Sequence, residues 1–398
     1  MTAVSPTTYI YSARALRDFG DGFVAVLLPV YLLALGFTAF QVGVTATAAL
    51  FGSALLTLGI GLLGGRHDYR RLLLAAASLM IATGVAYAIF DDYAVLLVVA
   101  FAGTINPSGG SASIFLPLEH AVLAREVADA DRTKTFACYS LVGALAGAVG
   151  SLAAATPDIL VAAGFGSLAA LKAMFVAYAL LGLVGALLYS RIPRELPTEA
   201  PRPAAALGPS RHIVYRLAIL FSIDAFAGGF VVQSLLALWL FERFDMSLGA
   251  ASLFFFWSGV LTAFSFPVAA WLSARIGLVR TMVYTHIPAN LCLMLAAFAP
   301  TLPVALGLLL VRSALSQMDV PARASYVMAV VTPPERAAAA SFTSVPRSLA
   351  SAVSPMLAGA LFASSFRAGP LLLCGALKIL YDVLLLIQFR HVKPPEER

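Results

Sequence analysis

RIPRELPTEAPRPAAALGPSRHIVYR, running from Arg191 to Arg216, is a polar, proline-rich stretch in a chain whose other long stretches are apolar. Its five prolines (Pro193, Pro197, Pro201, Pro203 and Pro209) cannot continue a helix, and each biases the residue before it toward an extended backbone. Arg191, Arg194, Arg202, Arg211 and Arg216 make it basic. It lies near the middle of 398 residues, with 190 before it and 182 after. The stretch 191–214 therefore reads as a cytoplasmic linker between two membrane-embedded bundles, 1–190 and 215–398.

Composition points the same way. The chain is 61% hydrophobic and 12% charged, with mean hydropathy +0.91, whereas soluble domains carry about 25% charged residues. So much apolar surface needs a lipid bilayer as its partner. The net charge of +6 would suit nucleic acid, but the basic residues sit at the ends of apolar runs, which is a topology signal and excludes that reading. Cys138, Cys292 and Cys374 are isolated, with neither metal-ligand spacing nor a disulfide framework. No short apolar run with a cleavage site opens the chain, so no removable signal peptide is expected.

A spanning helix needs roughly 20 apolar residues. Twelve runs approach that length: 9–35, 39–63, 72–90, 94–124, 134–155, 168–190, 215–241, 248–272, 281–299, 302–331, 337–362 and 369–389. With the N-terminus inside, the inner connections collect Arg66, Arg70, Arg71, Arg125, Arg132, Lys134, the linker arginines, Arg275, Arg280 and Arg336. The outer ones hold Arg243, Arg367 and Lys172 beside five acids, Asp91, Asp92, Asp158, Glu242 and Asp245. This bias places both termini in the cytoplasm, and a bacterial inner membrane is the expected location.

The halves echo each other. Arg66 and Arg71 recur as Arg275 and Arg280, both 209 positions on. Pro117, Arg132 and Ala148-Val149 recur as Pro321, Arg336 and Ala352-Val353, all 204 on. Gly22-Phe23-Val24 recurs as Gly229-Phe230-Val231. In the same order in each half, these matches predict two six-helix repeats, hence an all-α membrane protein of twelve helices in two pseudo-symmetric bundles.

Ionisable groups inside a bilayer are costly, so each is a functional candidate. In the first run, Arg14/Asp18 and Arg17/Asp21 are spaced i,i+4. Asp21 lies ~18 Å along the helix from Tyr9, between Gly20 and Gly22. It is a candidate proton carrier, or else the ion-pair partner of Arg17. Asp224 in the seventh run has no base a turn away and reads as an unpaired acid, also a candidate for coupling. Gln233 is a candidate substrate contact. Asn106-Pro107-Ser108-Gly109-Gly110-Ser111 interrupts the fourth run, and a broken helix exposes backbone and the side chains of Asn106 and Ser108 to a substrate.

Glu119 is a proton site or the partner of Arg323, its repeat equivalent, in a gate across the halves. Arg312, Ser316, Asp319 and Arg323 form one stripe, with Asp319/Arg323 as a pair and Arg312 as a possible anchor for an anion. His286 and Asn290 share a face of the ninth run; Lys378 and Asp382 are spaced as a pair in the twelfth. Phe23, Phe230 and Trp257 would suit an amphiphilic ligand. No ATP-binding loop, dinucleotide fingerprint or hydrolase motif occurs, so neither an enzyme nor a cofactor or metal site is expected.

Two sixes of helices around a basic linker resemble the major facilitator superfamily, in its drug- and metabolite-transporter-like branch. The resemblance rests also on the turn Gly61-Leu62-Leu63-Gly64-Gly65-Arg66-His67-Asp68-Tyr69-Arg70-Arg71 and its weaker copy ending at Arg280. Gly61, Arg66, Arg70 and Arg71 fit the family's signature; Gly65 stands where it has an aspartate and Asp68 where it has a glycine. The resemblance implies a monomeric secondary transporter with alternating access, gated at Arg66, Arg71, Arg275 and Arg280. Protons are the coupling ion that the buried acids suit. Export of a small organic solute is the expected task, with proton-linked uptake of a small anion or metabolite as the alternative.

Overall fold

The computed structural model describes residues 5–63, 68–109, 113–127, 132–193, 207–332, 335–364 and 366–392. These residues form sixteen helices and no strand. The first eight are α1 (Pro6–Ala34), α2 (Ala39–Leu63), α3 (Tyr69–Ile89), α4 (Tyr93–Ala102), α5 (Phe115–Glu126), α6 (Arg132–Ala153), α7 (Thr156–Ala162) and α8 (Ser167–Tyr189). The others are α9 (Arg211–Gly229), α10 (Gln233–Phe244), α11 (Leu248–Ile276), α12 (Leu278–Ala296), α13 (Leu302–Leu315), α14 (Asp319–Val330), α15 (Arg336–Ala363) and α16 (Gly369–Phe389).

Among the described residues, eight helical stretches are long and apolar enough to cross a membrane, against the twelve runs expected. α1 is not one of them because its charges crowd Arg14 to Asp21, and α4 has only ten residues. Three expected runs are each two helices. The fourth breaks between α4 and α5, as its Asn-Pro-Ser-Gly sequence predicts. The seventh breaks at 230–232 and the tenth at 316–318, so the stripe from Arg312 to Arg323 spans two helices. By length and composition, Arg211–Phe244 and Leu302–Val330 are each one apolar stretch.

Contacts divide the chain into two compact units. The first comprises Met1–Pro201 and Gln233–Phe256; the second comprises Arg202–Val232 and Trp257–Arg398. The stretch 233–256, expected with the 215–398 bundle, groups with the first unit. Of the linker, 194–206 lies outside the described residues.

In the first unit α1 packs on α6 and α8, and α3 on α8; in the second, α9 packs on α15 and α16, and α12 on α16. Glycine makes the α1–α6 contact possible. A Cβ on Gly22 would sit 2.1 Å from the Gly147 carbonyl oxygen, and one on Gly150 would sit 2.0 Å from that of Phe19. Gly22, Gly147 and Gly150 thus form a backbone-to-backbone seam. Tyr31, Tyr87 and Phe175 fill the first core, with the Tyr31 hydroxyl donating to the Tyr87 carbonyl at 2.6 Å. Val214, Phe221, Met282, Val283, Tyr326 and Leu385 fill the second.

Candidate functional site

Each unit encloses a charged interior. In the first, α1 brings Arg14, Arg17, Asp18 and Asp21 inward, all buried. Arg14 pairs with Asp18 at 2.8 Å, as the i,i+4 spacing predicts. Arg17 does not pair with Asp21. It reaches Glu119 of α5 at 3.0 Å and Asp18 at 3.5 Å, with its guanidinium over the Phe115 ring at 4.6 Å. Glu119 is fully buried and also accepts from the hydroxyls of Tyr189, at 2.5 Å, and Tyr139. Four polar groups from α1, α5, α6 and α8 are locked together there, and neither phenol was singled out from the sequence.

Asp21 is 2% exposed and stands apart from this cluster. The Tyr178 hydroxyl donates to it at 3.3 Å, and among the described residues it makes no ion pair. Tyr178 also reaches the hydroxyl and the carbonyl of Thr104, both at 3.1 Å, and packs edge-on against Phe23. Thr104 opens the break between α4 and α5. In that break the Asn106 carboxamide oxygen accepts from the Ser108 amide at 3.0 Å, and Gly109 adopts a φ of +68°. The Gln233 side chain lies against Gly109 and donates to the Ser151 hydroxyl at 3.5 Å, while the Ser234 amide donates to the Pro107 carbonyl at 3.0 Å. Asp21, Asn106, Ser108 and Gln233 thus share the first unit, with Tyr178, Thr104 and Ser151 as partners that periodicity could not reveal.

In the second unit the centre is Asp224, 3% exposed on α9. The expectation of an unpaired acid is overturned. Lys378 of α16 reaches it at 2.5 Å and Arg323 of α14 at 3.2 Å, with His286 Nε2 4.0 Å away. Arg323 pairs also with Asp319 at 2.6 Å. Lys378 and Asp382 do not pair, because Lys378 is drawn to Asp224 and Asp382 to His286 Nδ1 at 3.0 Å. Glu119 and Arg323 each make their ion pairs inside their own unit.

The remaining candidates are dispersed. The buried Asn290 Nδ2 has no partner among the described residues, and neither has Arg312 Nε. Trp257 is half exposed on α11. Arg71 lies 4.0 Å from Asp68, and Arg275 stacks on Trp271 at 4.1 Å; Arg66 is outside the described residues. No group of three His, Cys, Asp or Glu side chains that could hold a metal occurs among the described residues.

Long apolar helices around charged interiors define a multi-pass membrane protein. The chain matches the sequence profile of the Major Facilitator Superfamily over residues 10–314, and it belongs to that family. That makes it a transporter rather than an enzyme. It is 22% identical over 420 residues to the uncharacterised membrane protein YJR124C of Saccharomyces cerevisiae, covering 96% of this chain and 94% of the yeast one. Its fold is similar to that of the nucleoside transporter NupG (TM-score 0.75, 14% identity, 98% of this chain and 100% of that one). It is similar also to the human organic anion transporter MFSD10 (TM-score 0.65, 17% identity, 95% and 98%).

Proposed function

We propose that the protein is a proton-coupled transporter that moves a small organic solute by alternating access, with export as its direction. The observation that carries this reading is Asp21: a buried carboxylate, hydrogen-bonded to one phenol and without a cationic partner. A carboxylate so placed has no cation in contact with it among the described residues, so taking a proton removes a costly buried charge. When water reaches it, the proton is released. Tyr178 couples that change to Thr104 at the break in the α4–α5 run, close in sequence to Asn106 and Ser108. A broken helix gives a substrate access to main-chain groups that an intact helix keeps for itself. In this reading Asn106, Ser108, Gln233 and Phe23 contact the solute.

Asp224 serves differently. It holds Lys378 and Arg323, and its protonation or displacement by a substrate anion would free Lys378 and leave Arg323 to Asp319. Glu119, Asp319 and Arg323 hold the two-piece helices in place.

The test is proton flux into liposomes that contain the purified protein and an internal pH-sensitive dye, screened against candidate solutes under an imposed pH gradient. Solute-dependent proton movement is expected, and Asp21→Asn should abolish it while solute binding survives. Solute movement without proton movement, or a fully coupled Asp21→Asn protein, would remove Asp21 from the mechanism.

A further inference from the structure

In the second unit, His286 of α12 is 2% exposed, and each of its ring nitrogens faces a carboxylate. Nδ1 lies 3.0 Å from Asp382 Oδ1 on α16, and Nε2 lies 4.0 Å from Asp224 Oδ1 on α9. Asp382 is fully buried, and His286 is the one base within 4.0 Å of it among the described residues. The other oxygen, Asp382 Oδ2, is buried without a hydrogen-bond partner among the described residues. Lys378 stands one turn before Asp382 on the same helix, yet it pairs with Asp224 at 2.5 Å. Asp382 therefore has one oxygen engaged and one open, with a lysine at the i,i−4 position that is held elsewhere.

α12 packs on α13, α14 and α16, and α16 packs on α9, α12 and α15. The charged groups that these helices bring to the interior are Asp224 of α9, Arg312 of α13, Asp319 and Arg323 of α14, Arg347 of α15 and Lys378 of α16. Tyr326, Cys374 and Tyr381 are the other titratable groups there, with the Tyr381 ring edge-on to the imidazole at 6.2 Å. Arg323 is divided between Asp224 at 3.2 Å and Asp319 at 2.6 Å. Asp224 thus keeps a cation if Lys378 leaves it, whereas Asp382 depends on His286. A buried carboxylate beside a neutral ring carries an unbalanced charge at low dielectric, which is costly. A protonated ring balances it and turns its second N–H toward Asp224.

We infer that His286 and Asp382 form a proton-binding site that decides which carboxylate Lys378 holds. With the proton bound, the imidazolium donates its Nδ1–H to Asp382, and Lys378 stays on Asp224, tying α16 to α9. When water takes the Nε2 proton, one N–H bond breaks, one O–H bond forms on water, and His286 is left neutral. Asp382 Oδ2 then draws Lys378 along one turn of α16, and Asp224 is left to Arg323. A tie between two helices becomes a pair within one. Lysine suits this exchange, because its compact charge sits on a flexible four-carbon stem and can move between two acceptors. The site lies within the second unit and involves neither Asp21 nor the solute, so it stands whichever way the test of Asp21 falls.

Two measurements on the full chain in neutral detergent test this, and neither needs a solute. The first is nitrogen NMR of histidine-labelled protein, with the His286 signal assigned by its absence from His286→Gln. The ring should carry protons on both nitrogens at about pH 6 and on one at about pH 9. The same protonation at both would overturn the proton site. The second is a double-mutant cycle in melting temperature between Lys378→Met and Asp382→Asn. When the two residues pair, the double variant melts above the value that adding the single losses gives. That excess should be at least about 3 °C larger at about pH 9 than at about pH 6, and in the His286→Gln background it should be present at both. A smaller difference between the two pH values, or no excess in His286→Gln at about pH 6, would overturn the exchange of Lys378. The NMR needs no variant of Lys378 or Asp382, and the pH comparison needs none of His286, so a variant that folds poorly leaves one measurement standing.

Discussion

What reaches a buried carboxylate decides its role, and Asp21 and Asp224 differ in that respect. One phenol reaches Asp21, whereas Lys378 and Arg323 both reach Asp224. Asp21→Asn keeps a group that can accept from Tyr178, so the protein should melt close to the wild type. Asp224→Asn leaves Lys378 without its carboxylate and Arg323 with Asp319 alone, and breaking a buried pair in this way costs about 3–5 kcal/mol. Its melting temperature in detergent should fall clearly, and Lys378→Met in the same chain should restore part of the loss. An Asp224→Asn protein as stable as the wild type would show that the cations find other partners. The identity of both acids was legible in the sequence, because an ionisable residue inside an apolar run announces itself. Their partners were not. Spacing of i,i+4 reports neighbours on one helix, and it was right for Arg14/Asp18 and Asp319/Arg323. It was wrong for Arg17/Asp21 and Lys378/Asp382, where a residue on another helix offers a better partner.

Among the helices, breaks were legible only where the backbone chemistry itself changes. Asn106-Pro107-Ser108-Gly109 cannot remain α-helical, and α4 ends before it. The breaks at 230–232 and 316–318 lie inside runs long enough to span, and hydropathy records the surroundings of a residue rather than its dihedral angles. A further joint was hidden because its residues are ordinary. Glu335 precedes α15, and its carboxylate accepts from the Ser210 hydroxyl at 2.6 Å, the Ser210 amide at 3.4 Å, the Gly208 amide and the Thr332 hydroxyl. It ties the start of α9 to the start of α15, two helices that pack along each other. The hydroxyls of Ser210 and Thr332 hold its pKa at about 2, below the ordinary 4.5. A lowered carboxyl stabilises the fold above its ordinary value and loses that contribution as pH falls toward the lowered one. Melting temperatures measured from about pH 5 down to about pH 2 should therefore fall more steeply for the wild type than for Glu335→Gln, and the two should converge at the acid end. Parallel curves would mean that the joint contributes nothing to stability.

Across the whole molecule, the repeat carries an inversion of charge. The offset of 207 that aligns Gly22-Phe23-Val24 with Gly229-Phe230-Val231 aligns Arg17 with Asp224, and the offset of 204 aligns Glu119 with Arg323. Arg17 meets Glu119 at 3.0 Å within the first unit, and Asp224 meets Arg323 at 3.2 Å within the second. Each unit thus ties its first helix to the second piece of a broken helix, with the signs exchanged. The offsets were legible in the sequence, but they led toward a Glu119–Arg323 pair because complementary charges at equivalent positions look like partners. Their surroundings differ: Glu119 has the phenols of Tyr139 and Tyr189, whereas Asp224 has Lys378 and Arg323 has Asp319. A hydroxyl can donate or accept, so the first setting tolerates either sign better than the second, with Asp18, itself held by Arg14, as the one like charge that a glutamate at 17 would meet. Arg17→Glu and Glu119→Arg alone should each destabilise by about 3–5 kcal/mol, and the double reversal should recover roughly half. Asp224→Arg/Arg323→Asp should recover nothing, because it places arginine beside Lys378 and aspartate beside Asp319. Melting temperature and monodispersity in detergent read the wild type, these four variants and the single variants Asp224→Arg and Arg323→Asp, and equal recovery in the two units would show that the pairs, and not their neighbours, set the sign of the charge.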